Sequence, residues 1–190
     1  MAAKDRAQAW VELRTDDPEA LSALAVARAR LEAARWLEAV RRFRVFEIEG
    51  PVPARGALDE LLHRSTWFYN PHKERCTVRR SARDAPPLAP GEIAVLVVES
   101  QGERRPAAER WWRHETGVAV EVREGVVWGL RFERGEDGAD RARELAELRD
   151  PGHGLLANPN SQAWALVEGE PALDWIRRTA GRTPASKEAS

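Results

Sequence analysis

The chain has 190 residues, 43% hydrophobic and 32% charged, values that suit one globular domain or a core with appendages. A formal net charge of −1 excludes a general attraction to nucleic acid or anionic lipid, leaving only a local basic patch as a route to either. Cys76 is the only cysteine, which excludes an intrachain disulfide and a multi-cysteine zinc site.

No apolar run approaches the roughly 18–20 residues needed to cross a bilayer. Met1-Ala2-Ala3-Lys4-Asp5-Arg6 leads into charged, helix-like sequence without an apolar h-region, so the expectation is a cytoplasmic, reducing compartment and no signal peptide. Asp16-Asp17-Pro18 has the form of a helix start, with an acidic N-cap before a proline at the first helical position. Leu21, Leu24, Leu31, Leu37 and Val40 then recur at spacings that favour one helical face, which predicts a long N-terminal helix within residues 1–42. Phe43-Arg44-Val45-Phe46-Glu47-Ile48-Glu49 alternates with period two and predicts a strand with one wet face. Gly50-Pro51-Val52-Pro53 ends it. Ala57 to about Arg64 makes a short helix with Leu58, Leu61 and Leu62 turned inward. A polar-aromatic turn, Ser65 to Arg75, leads into a strand over Arg75–Arg79 that places Cys76 and Val78 on one face. Three prolines make Asp84 to Gly91 a connector.

Ile93-Ala94-Val95-Leu96-Val97-Val98 is short, rich in β-branched residues and bounded by turn residues, so it predicts a strand buried on both faces. Arg104 to Glu115 reads as a helix, with Pro106 in its first turn and Gly117 as its left-handed stop. Val118–Val122 and Val126–Phe132, separated by Arg123-Glu124-Gly125, read as the two arms of a hairpin. A turn at Gly135–Gly138, a helix over Ala139–Leu148, a break at Asp150–Gly154 and a final strand at Ala163–Val167 follow. Leu173, Trp175 and Ile176 read as a last docked turn, and Gly181 to Ser190 as a frayed tail. The expected organisation is a helical segment at 1–42, a strand-helix-strand unit at 43–83, a proline-rich linker at 84–91, a domain at 92–170 and a tail at 171–190. The fold class is α+β. Its second half has the βαββαβ order of a ferredoxin-like antiparallel sheet, preceded by the long helix and the additional strand-helix-strand unit.

Asn70-Pro71 and Asn158-Pro159 each follow a leucine-bearing helix and precede a strand. Duplication explains this echo, and so does the ordinary turn preference of Asn-Pro. At Leu155-Leu156-Ala157-Asn158-Pro159 the second half resembles the small subunit of phosphoribosylformylglycinamidine synthase, whose last helix runs through such a segment into its final strand. The resemblance spans about Glu92 to Glu168. Where that family carries glycine-valine-leucine-aspartate-proline after its first strand, this chain has Gln101-Gly102-Glu103-Arg104-Arg105-Pro106, and the break at 150–154 is foreign to the pattern. The resemblance implies a noncatalytic subunit that assembles with larger enzyme subunits.

The four histidines, His63, His72, His114 and His153, form no paired i, i+4 motif and have no cysteine at metal-ligand spacing. Neither a G-x-G-x-x-G nor a Walker sequence occurs, and Cys76 falls in a predicted strand, where a buried inert thiol is expected. No metal and no cofactor is therefore expected. The candidate ligand site is the turn itself. Trp67 and Tyr69 offer ring surfaces for stacking, and His72, Lys73 and Arg75 offer cations for an anionic small molecule such as a nucleotide. The competing account has the aromatic residues closing the core while the charges solvate a turn. Trp111-Trp112 cannot both point into one core, because adjacent helix positions differ by about 100°, so one of them is a candidate interface residue. Three function classes result: an accessory or assembly subunit with a protein partner or as a homo-oligomer; a small-molecule or nucleotide-binding module; and, least supported, an enzyme. Membrane and nucleic-acid partners are not expected.

Overall fold

The computed structural model describes residues 5–133, 137–150, 152–167 and 169–181. Its strands are β1 (Arg6–Leu13), β2 (Leu37–Glu49), β3 (Glu74–Arg79), β4 (Ile93–Glu99), β5 (Glu121–Phe132) and β6 (Gln162–Val167). Its helices are α1 (Pro18–Arg30), α2 (Arg55–His63), α3 (Pro106–Thr116), α4 (Gly138–Ala146) and α5 (Trp175–Ala180), with a 3₁₀ turn at Glu32–Ala34. The strands form one antiparallel sheet in the order β3-β1-β2-β5-β4-β6. The fold is α+β.

That order overturns the ferredoxin-like reading of the second half and the long N-terminal helix before it. Asp17 does cap α1, its Oδ1 accepting from the backbone N–H groups of Glu19 and Ala20. The helix ends at Arg30 because Leu31 turns extended (φ −116°, ψ 122°), and the Arg-rich segment from Leu37 is strand. Here tertiary pairing outweighs helix propensity. β2 takes up hydrogen bonds from β1 on one side and β5 on the other. The expected hairpin at Arg123-Glu124-Gly125 is also absent, because β5 runs straight through those residues. Gly125 is a packing glycine. A Cβ there would sit 2.9 Å from Leu96 Cδ1 and 3.3 Å from the Val97 carbonyl oxygen. β1 was not anticipated, since its alternating residues on one face are Ala7, Ala9 and Val11, mostly too small to give a strand signal. The apolar run at Ile93 does form an interior strand, between β5 and β6, with Val95 fully buried. Gly117 ends α3 at φ 74°. The expected turn at Gly135–Gly138 lies partly outside the described residues, and the tail after Gly181 wholly so.

The two halves of the chain follow one plan. β1-α1-β2-α2-β3 and β4-α3-β5-α4-β6 each place their first strand in the middle, paired antiparallel to the second and third. β2 and β5 join the halves from Leu37–Phe132 to Glu49–Glu121. The Asn-Pro turns repeat bond for bond. Asn70 N donates to Glu74 Oε2 (2.6 Å) and Asn158 N to Gln162 Oε1 (2.8 Å). Asn70 Oδ1 accepts from His72 N (3.0 Å), and Asn158 Oδ1 from Asn160 N (2.9 Å). The Lys73 carbonyl accepts from Arg14 N just past β1 (2.9 Å), and the Ser161 carbonyl from Ser100 N just past β4 (2.8 Å). Turn preference alone does not reproduce these tertiary bonds.

The helices cross between halves. Ala27 of α1 and Ala33 and Ala34 of the 3₁₀ turn pack with Val95 of β4 and Leu145 of α4. In return, Ala108 and Trp112 of α3 pack with Leu58 and Leu62 of α2 and with Phe68. These four helices cover one face of the sheet. On the other face, α5 and Leu88 of the proline-rich segment pack on Trp10, Phe43, Val45 and Leu96.

Candidate ligand-binding cleft

α2 is amphipathic, burying Leu58, Leu61 and Leu62. Asp59 and His63, one helical turn apart, lie along its flank toward the edge strand β3, where they line an open cleft of about 810 Å³. β3 contributes Cys76, Thr77 and Val78, and Arg64, directly after α2, also lines it. Tyr69 comes from the loop between them. That loop is fixed because Phe68 is fully buried, edge-on to Phe46 (5.2 Å between ring centroids), Trp111 (5.9 Å) and Trp112 (6.3 Å). Arg44 reinforces it, donating to the Phe68 carbonyl (2.9 Å) and pairing with Glu74 Oε1 (3.0 Å), while Glu74 holds Asn70 N.

Inside the cleft the Tyr69 hydroxyl and His63 Nδ1 share a hydrogen bond of 3.0 Å. Burial, with the charge of Cys76 and then Asp59 adding to it, raises the Tyr69 phenol above its ordinary range. Burial first, then the Asp59 and Glu74 charges, pushes the Cys76 thiol up to about 12. At neutral pH it is a protonated, weakly polar wall group and no nucleophile. The cleft offers ring, thiol, imidazole, carboxylate and guanidinium groups to a bound molecule.

The repeat shows what the cleft replaces. Cys76 on β3, opposite Val11, corresponds to Trp164 on β6, opposite Val97. Tyr69, directly before the first Asn-Pro turn, corresponds to buried Ala157 before the second, and the buried face of α2, Leu58, Leu61 and Leu62, corresponds to Ala142, Leu145 and Ala146 of α4, which leaves Asp59 and His63 exposed on the flank of α2. In the second half the partly buried Trp164 indole packs against the core cluster that contains Ala142, Ala146 and Ala157 and donates from Nε1 to Glu147 Oε2 (3.1 Å). In the first half the large side chain is missing, and the space beside Cys76 is lined by Asp59, His63, Arg64 and Tyr69. α4 also lies close on β4 and β6, whereas α2 makes no comparably close approach to any strand.

Of the five ligand residues expected from the sequence, only Tyr69 lines this cleft. Trp67 is 55% exposed on the loop, and His72 and Lys73 are exposed on the Asn70 turn. Arg75 alternates with Cys76 along β3 and so points to the opposite face. His63 is bonded to Tyr69, whereas His72 stands exposed on the Asn70 turn. Trp112 is fully buried and Trp111 packs beside it against Phe68. Sequence reasoning missed Asp59, Arg64 and the use of Cys76. The available signal was the i, i+4 pair Asp59 and His63 on the flank of α2.

A second polar cluster lies on the opposite face, beneath α5. Glu47 is fully buried, and its Oε2 accepts from the backbone N–H groups of Ile176 (3.0 Å) and Arg177 (3.4 Å), while Oε1 has no hydrogen-bond partner. Burial raises its carboxyl to about 7, outweighing the opposing effect of those two N–H groups and of Arg123. Fully buried Arg79 ties β3 to this region, donating to Gln8 Oε1 (2.7 Å), the Pro171 carbonyl (3.0 Å) and the Asp84 carbonyl (2.6 Å). Arg6 and Arg177 bracket Glu49 and Asp174. Its bonds reach from the sheet to the C-terminal segment that covers it, so the cluster fastens that segment down.

Among the described residues no group of three or more His, Cys, Asp or Glu side chains could hold a metal ion, and no helix is long and apolar enough to cross a membrane. Set against protein-family models, curated proteins and solved structures, the chain matches none.

Proposed function

We propose that the chain is a noncatalytic binding module that takes a small organic molecule in the cleft between α2 and β3. One observation carries this reading. In two halves built on one plan, the place that Trp164 fills against the core of the second half is held in the first by Cys76, beside an open cleft lined by Asp59, His63 and Tyr69. A slot needed only for stability is best filled, since an unfilled cavity forfeits packing energy. Opening it and lining it with hydrogen-bonding groups suits a concave site with a few placed polar contacts. The protonated thiol favours binding over covalent chemistry. Tyr69 is the only tyrosine, so fluorotyrosine incorporation gives a single fluorine resonance inside the cleft. Screened against a broad fragment library, that resonance is expected to shift saturably with some compounds and to lose the response in Cys76→Phe, which refills the slot. No response to any compound would end this reading.

A second reading, an accessory subunit on a larger partner of the kind the synthase-subunit resemblance implies, is favoured by Trp67. A tryptophan 55% exposed on an ordered loop suits an interface anchor. Native mass spectrometry of the protein taken from its own cells should then show a complex that Trp67→Ser dissociates while the melting temperature hardly moves.

A further inference from the structure

We infer that the occupant of the cleft is a planar nitrogen-containing aromatic acid, seated as the Trp164 indole is seated in the second half; this rests on the reading of the cleft as a ligand site. Shape comes from the repeat. The place that Cys76 leaves open is spanned in the other half by a two-ring indole running from β6 to the residue after α4. The lining there includes the Tyr69 ring and the apolar side chains of Leu62 and Val78. Polarity comes from the charged groups of the lining. Arg64 lines the cleft and only donates, so the group it meets on a ligand is an acceptor, and a carboxylate matches the guanidinium fork best. The other cation at the rim, Arg55, is already paired with Asp84 at 3.4 Å.

Acidic groups also face the cleft, and they decide the rest of the ligand. Asp59 and Glu60 line it beside Arg64. An acidic ligand therefore directs its carboxylate to Arg64 and a ring N–H to Asp59, whose oxygens only accept. The paired Tyr69 hydroxyl and His63 imidazole are held for a second polar ring atom. A cationic amine would place like charge against Arg64. A fully apolar ring would leave Asp59, Arg64 and the Tyr69–His63 pair with no polar contact to the ligand.

The test uses the full chain with fluorotyrosine at Tyr69 and three probes of equal ring size: indole carboxylate, indole and tryptamine. Indole carboxylate is expected to shift the resonance saturably and to bind at least about tenfold tighter than indole, the scale of one charge-assisted hydrogen bond. Arg64→Gln should erase that advantage while leaving indole binding unchanged, and Asp59→Leu should weaken both ring compounds. Equal or tighter binding of tryptamine, or an indole carboxylate affinity untouched by Arg64→Gln, overturns the aromatic-acid assignment while the cleft remains a binding site. Silence with all three probes, set against a response to unrelated fragments, overturns it as well. Silence with every compound removes the reading of the cleft itself.

Discussion

Glu47 is the residue at which the sheet and the C-terminal segment meet, and its proton is set by its burial. The folded protein holds that proton more tightly than the unfolded chain, because its carboxyl lies near 7 in place of 4.5. The stabilisation this gives is complete below the ordinary glutamate range and is lost as pH rises through about 7. Melts of wild type and Glu47→Gln, compared across that window, should show the wild type losing up to about 3 kcal/mol relative to the variant. A pH-independent difference would mean that Glu47 is ionised throughout. Cys76 gives a second measurement at this scale. With the thiol pushed to about 12, alkylation of the native protein at neutral pH should run roughly a thousandfold slower than after unfolding in denaturant. Comparable rates would show an accessible thiolate and reopen the question of chemistry in the cleft.

At the scale of the element, β5 is the instructive case. It looks like two short strands with a glycine turn, yet it is one strand whose glycine makes room for its neighbour. Gly125→Ala pushes a methyl group into Leu96, itself fully buried, and against the Val97 carbonyl. The expected cost is about 1–3 kcal/mol, the range for overpacking a core, with no change in strand content by circular dichroism. A neutral substitution would mean that β4 and β5 lie further apart than described. The buried stretch of β4 has no room for a charge. Val97→Asp places a carboxylate on an interior strand among Leu145 and Ala146 of α4, and the variant should fail to fold.

At the scale of the whole molecule, the crossed helices decide how the protein comes apart. Each half's first helix completes the other half's core, and β2–β5 pairing runs through the middle of the sheet. Neither half has a closed core alone. A chain cut in the proline-rich connector near Pro87 should therefore still assemble when the two pieces are expressed together. Each piece alone should be insoluble or pair with itself. Intact protein should unfold in one transition, because no plane through it separates two independent cores. Two transitions, or a stable folded half, would contradict the crossed packing.

The amino-acid sequence alone determined the elements whose signal is local. Asp17-Pro18 starts a helix, Gly117 stops one, the run from Ile93 is a buried strand, and both Asn-Pro pairs are turns, because capping, left-handed backbone and an unbroken apolar run are written in neighbouring residues. The tertiary structure decided what each pattern faces. The arginine-rich start of β2 has the composition of a helix and is a strand because β5 lies beside it. β1 is legible only once β2 and β3 bracket its alanines, and Gly125 means a turn or a close approach depending on where β4 runs. The cleft was the least legible feature, since it is made by a missing side chain. Cys76 is an unremarkable small residue in its own strand, and it marks an opening only when the folded halves set it against Trp164, the side chain that fills the equivalent place.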